Sequence, residues 1–148
     1  MSPANWLVET SGIPFGLMGD MLQGGGNPWR GMIYGMTSRY PWKTDGVICE
    51  PQNIWKLWDD FGIADADMVG YWSERPLVTS SNPDVLVTAY RKNNKLLVSV
   101  ASWAKDTVGV HLNIDWERVG WKPSQVLFRA TPIQNFQPSA QWKEGDIL

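Results

Sequence analysis

GLMGDMLQGGGNPWRG, residues 16–31, decides how the first half of this chain reads. An apolar run, Ile13 to Met18, has the length of a buried strand, and Trp6 to Glu9 is a shorter one before it. An acid (Asp20) and an amide (Gln23) follow, then Gly24, Gly25 and Gly26, then a helix entry. Asn27 can cap that helix and Pro28 suits its first position, so the sequence predicts a helix over Asn27–Arg39. Trp29, Met32, Ile33 and Met36 form its apolar stripe, with Gly31, Gly35 and Ser38 as a small-residue strip elsewhere on its surface. A second helix is expected from Asn53 to Phe61, with Ile54, Leu57, Trp58 and Phe61 buried and Gly62 as its stop. Strand, loop and helix in this order make the first half α/β.

The composition changes near Arg75-Pro76. Residues 1–75 hold 11 of the 14 glycines, all six methionines and a net charge of -4 (nine acids, five bases), whereas residues 76–148 carry +2 (six acids, eight bases). Two units are therefore expected, 1–75 and 76–148, packed closely because no Gly/Ser or Pro-rich linker divides them. The second unit reads as antiparallel β. Asp84–Tyr90 and Lys95–Trp103 flank a polar turn at Arg91–Asn94. Thr107–Ile114 alternates, with Val108, Val110, Leu112 and Ile114 on one face and Gly109, His111 and Asn113 on the other. Asp115–Trp121 is a polar or single helical turn, Ser124–Ala130 a further strand, and Ile133–Gln137 another candidate strand. Short strands at this spacing point to a β-sandwich. The chain stops at Gly145–Leu148 where a new apolar run begins, the look of a truncated end.

The inventory narrows the chemistry. A net charge of -2 offers no basic field for nucleic acid or an anionic membrane, and no apolar run approaches a membrane span. One cysteine (Cys49) excludes an internal disulfide, and one histidine (His111) excludes a site needing two imidazoles. No cofactor is expected. The glycines before the helix lack the Lys-Ser/Thr of a phosphate loop and the G-x-G-x-x-G spacing. Asp59, Asp60, Asp65 and Asp67 lack the alternating oxygen ligands and distal Glu of a calcium loop, so no metal is expected either. Chemistry then falls to carboxylates. Asp20, just past a buried run, projects where parallel α/β proteins bind ligands, and Glu9 closes the preceding run; the bland alternative is a structural acid paired with Arg30 or capping a turn. Two carboxylates among aromatics and amides are the ingredients of glycoside hydrolysis. Ten tryptophans supply flat apolar faces for packing or for stacking on sugar rings.

The blocks SGIPFGLMGDMLQGGGNPWRGMIYGMTSRYPW (11–42), IWKLWDDFGI (54–63), MVGYWSE (68–74), Ser102-Trp103 and IDW (114–116) together resemble the end of a family of large bacterial glycoside hydrolase-like proteins, similar to the β-N-acetylgalactosaminidase-type glycoside hydrolase family 123. The resemblance implies the last βα units of a (β/α)8 barrel over residues 1–75, then a C-terminal β-sandwich from Pro76, truncated at both ends. It carries Asp20, Gln23, Asn27, Trp29, Arg30 and Arg39 forward only as site candidates in the matching block; the catalytic reading of Asp20 and of Glu9, which precedes that block, rests on their places at strand ends, and the other five are candidates for substrate contact. It also implies a carbohydrate substrate, a secreted or periplasmic parent, and a barrel partner in the missing N-terminal part of the same protein. Two βα units cannot close a barrel, so the chain alone is expected to be inactive. The alternative is a non-catalytic carbohydrate-binding or interaction module on the β-sandwich, with Trp103, Trp116 and Trp121 as its stacking surface.

Overall fold

Gly35, at φ 74°, stops the first helical segment at Tyr34. In a computed structural model of the chain, residues 29–37, 42–44, 47–142 and 146–147 are described, with backbone alone at 42–44, 47, 49 and 146–147. The helix expected over Asn27–Arg39 is here a 3-10 helix, Arg30–Tyr34. Trp29, without a side-chain cap bond, occupies the entry position expected of Asn27, which lies outside the described residues together with Pro28. The reason for the early stop is local and tertiary at once. Gly35 takes the left-handed conformation that other residues resist, and the Gly35 and Met36 amides bond back to the Met32 and Gly31 carbonyls. Of the expected stripe, Met32 and Ile33 are buried as read. The strands proposed at Trp6–Glu9 and Ile13–Met18 lie outside the described residues.

A short antiparallel hairpin follows, β1 (Trp42–Thr44) with β2 (Val47–Cys49). Helix α1 (Pro51–Phe61) starts two residues before the expected Asn53, because Pro51 fits the first turn where no amide is needed. Gly62, at φ 77°, ends it as read, donating its N–H to Trp58 and Asp59 carbonyls. Ile54 is fully buried against Met32 and Ile133, with Trp29, Leu57, Trp58 and Phe136 packed around them.

The remaining strands are β3 (Asp67–Val69), β4 (Val78–Ser80), β5 (Val85–Lys92), β6 (Lys95–Ser102) and β7 (Val110–Ile114). After the helical turn α2 (Trp116–Val119) come β8 (Phe128–Ala130), β9 (Ala140–Trp142) and β10 (Asp146–Ile147). All pairings among them are antiparallel, in sheets ordered β3-β5-β6, β10-β7-β4 and β8-β9. The β5–β6 hairpin forms as expected but with a tighter turn. Arg91 and Lys92 pair with Leu96 and Lys95, leaving Asn93-Asn94 alone at the tip with Asn93 at φ 50°, a conformation Asn tolerates.

β5 is the centre of the fold. It is paired on both edges, and it is covered on both faces. Val87 and Ala89 join Leu77, Val78, Leu112 and Val119 in a core shared by the two three-stranded sheets. From the other face Leu86, Thr88 and Tyr90 meet the Arg30–Tyr34 helix. Strand β3, from before the compositional change at Arg75-Pro76, pairs with β5 from after it, so one sheet spans both sides.

β7 shows the predicted alternation, with Leu112 buried and His111 and Asn113 exposed, although pairing begins at Val110 and not at Thr107. Asp115 caps the following turn by accepting the Arg118 amide at 3.1 Å. Two expectations are corrected here. Only Phe128–Ala130 of the Ser124–Ala130 run is a strand, since Pro123–Gln125 coils into a 3-10 turn. Ile133–Gln137 is a closed loop and not a strand: the two end residues exchange both backbone bonds, at 2.9 and 3.0 Å, around Asn135 at φ 59°.

Candidate functional site

Of the residues singled out from sequence, Trp29 and Arg30 are among those described; Glu9, Asp20, Gln23, Asn27 and Arg39 are not. The two are neighbours in the chain but serve different surroundings. Trp29 packs on Phe136, ring centroids 4.8 Å apart and tilted 54°, at the edge of the α1 cluster. Arg30 turns to the end of β6, where its Nε and one terminal NH2 donate to the Ser102 carbonyl at 3.2 and 2.9 Å. Its guanidinium lies 4.8 Å from the centroid of the Trp103 indole. A planar fork suits both contacts, because two N–H groups converge on one oxygen while the flat face rests on the ring. Partial burial draws the Arg30 pKa below its ordinary value.

Two hydroxyls complete the attachment. Thr88, fully buried, donates to the Ile33 carbonyl at 2.7 Å, and Tyr90 donates to the Met32 carbonyl at 3.1 Å. Carbonyls near the end of a short helix run short of intrahelical partners, so a sheet that presents hydroxyls there bonds the Ile33 carbonyl and adds a second donor to the Met32 carbonyl, which also accepts from Gly35. Burial pushes the Tyr90 phenol above its usual range.

Beyond the helix lies a set of aromatic rings that sequence reasoning missed. Trp72 stacks on Tyr34 at 5.7 Å and 19°, while Tyr71 meets Trp72 edge-on at 5.2 Å. The Tyr34 and Tyr71 hydroxyls are 3.1 Å apart. Burial first, then the bond to Tyr71 and its charge, raises the Tyr34 pKa. Adjacency of Tyr71 and Trp72 in sequence was a signal for this set; the part played by Tyr34 was not visible locally.

A carboxylate also missed from sequence is Glu50, whose Oε2 accepts from Asn53 at 3.3 Å and from Asn135 at 2.8 Å. It ties the start of α1 to the 133–137 loop. The three indoles of the stacking-surface alternative occupy three neighbourhoods. Trp103 lies under Arg30, Trp116 meets Phe128 at 6.2 Å, and Trp121 packs on the shared core; each is half-buried. Asp60 pairs with Lys56 at 2.7 Å and Asp65 with Lys92 at 3.2 Å. Among the described residues no group of three His, Cys, Asp or Glu side chains could hold a metal, and no helix is long and apolar enough to cross a membrane.

The attachment has a counterpart in comparisons with known proteins. Residues 1–41, which contain the Arg30–Tyr34 helix, match the glycoside hydrolase 123 TIM-barrel domain. Residues 50–148, which contain Thr88, Tyr90, Ser102 and Trp103, match the glycoside hydrolase 123 C-terminal domain. No curated protein and no solved structure matches the chain. The larger match covers most of the sequence and the smaller one the block before it, so the chain belongs to glycoside hydrolase family 123.

Proposed function

We propose that this chain joins the end of a glycosidase barrel to its C-terminal domain, and that it contributes Asp20 and Glu9 to carboxylate acid/base cleavage of a glycosidic bond. In such a reaction one carboxyl protonates the leaving oxygen while the other acts as base or nucleophile. Gln23, Asn27 and Arg39 are assigned to the sugar, on the reading that loops beyond the strand ends carry the ligand. Trp29 and Arg30, also expected as sugar contacts, would anchor that loop from behind through Phe136, Ser102 and Trp103. The two sheets that share a core are read as a β-sandwich. Residues 1–41 are too few for an eight-stranded barrel, so turnover is assigned to the chain only together with the other βα units.

The observation that supports this reading is the position of Arg30: within the barrel match, it is held by the last residues of a strand from the C-terminal match. The test places residues 1–148 behind the preceding barrel units of a family 123 enzyme and follows release of a chromogenic N-acetylgalactosaminide. Asp20→Asn should abolish turnover while leaving sugar binding largely intact. Full turnover in that variant would make Asp20 structural and end the assignment.

A further inference from the structure

Three large apolar side chains stay open to solvent around one short segment, Tyr34–Thr37. Trp55 is 40% exposed and its indole N–H donates to the Thr37 hydroxyl at 2.7 Å. Met68 is 40% exposed, and its terminal atoms come within 4.0 Å of the place a side chain on Gly35 would occupy. Trp72 is 42% exposed and stacked on Tyr34. They come from α1, from β3 and from the loop after β3, yet they rim the same four residues. Exposed large apolar groups gathered around one segment mark a contact surface, and the fixed setting of both indoles lowers the entropy lost on covering them. Beside them, β3 pairs with β5 on one edge only among the described residues, a second feature that a neighbour would satisfy.

We propose that Trp55, Met68 and Trp72 form the surface on which the other strand–helix units of the family 123 barrel dock. The inference rests on the reading of residues 1–41 as barrel and names the partner surface of that same junction. Its occupant follows from continuity. The segment the three side chains surround is part of the barrel match, and it already packs by its inner side on β5 and β6. A TIM barrel has about 250 residues in eight units, so a unit next to this one in the wall is the occupant that the patch fits.

The test co-expresses the whole 148-residue chain with a tagged barrel polypeptide from a family 123 enzyme that ends where the match to residue 1 begins. A 1:1 complex by light scattering is expected. Trp72→Ser combined with Met68→Ser should weaken it at least tenfold, with the chain still unfolding in one cooperative transition, while Leu127→Ser, at an exposed leucine outside the patch, should leave it alone. A complex equally tight with the double variant would overturn the docking surface and leave the barrel reading standing. A homodimer that excludes the barrel polypeptide, and that the double variant dissolves, would overturn the proposal in favour of a second copy. Turnover by the Asp20→Asn variant reports separately on the parent reading.

Discussion

The Thr88 hydroxyl lies 2.7 Å from the Ile33 carbonyl, in a site where Thr88 has no solvent exposure at all. A polar side chain in the middle of a central strand is tolerable only if its bond is made. Replacing Thr88 by Val keeps the shape and the strand preference but strands a buried carbonyl. The expected loss is about 1–3 kcal/mol in urea unfolding, with Thr88→Ser losing less because the hydroxyl remains. A Thr88→Val protein as stable as the parent would mean that the bond does not hold the helix to the sheet.

Arg30 and Trp103 should be energetically coupled. Arg30→Lys keeps the charge but loses the fork that reaches Ser102 through two nitrogens, so it should destabilise nearly as much as Arg30→Ala. In a double-mutant cycle with Trp103→Leu, the coupling should be roughly 0.5–2 kcal/mol, the range for a partly desolvated cation over an indole. Additive effects within about 0.3 kcal/mol would show that the two residues share a place but no interaction.

Much of the fold was legible because its elements carry their own punctuation. Gly62 stops α1 as expected, a polar turn inside Arg91–Asn94 closes the β5–β6 hairpin, and the alternation through Leu112 set the faces of β7. Much of what sequence reasoning missed depends on partners far along the chain. Gly35 offers a local stop that the reading through to Arg39 passed over, and Thr88 and Tyr90, which take up two of the helix's carbonyls, lie 55 and 58 residues away. Val126, Leu127 and Phe128 are strand-like, but the turn at Pro123–Gln125 precedes them and only Phe128–Ala130 finds a partner in β9. The site shows the same division. Arg30 stood out from its setting between glycines and a helix entry, but the Ser102 carbonyl that fixes it is 72 residues later. The carboxylates Asp20 and Glu9 came from a pattern of strand ends, and their positions lie outside the described residues.

Alkaline pH should weaken the Tyr90 contact that helps hold the Arg30–Tyr34 helix to the sheet. Burial raises the Tyr90 pKa, so the folded protein holds this phenol neutral where an unfolded chain would ionise it. The sign follows from linkage. Stability from the neutral phenol is complete below the ordinary tyrosine value of about 10 and is lost as pH rises through it toward the higher folded value. Urea midpoints should therefore fall steeply from pH 9.5 to 11.5. Tyr90→Phe lacks both the titrating group and the bond to the Met32 carbonyl, so it should be less stable at pH 8 but lose less on going to pH 11.5. Parallel declines for the two proteins would assign the alkaline loss to other groups and release Tyr90 from this role.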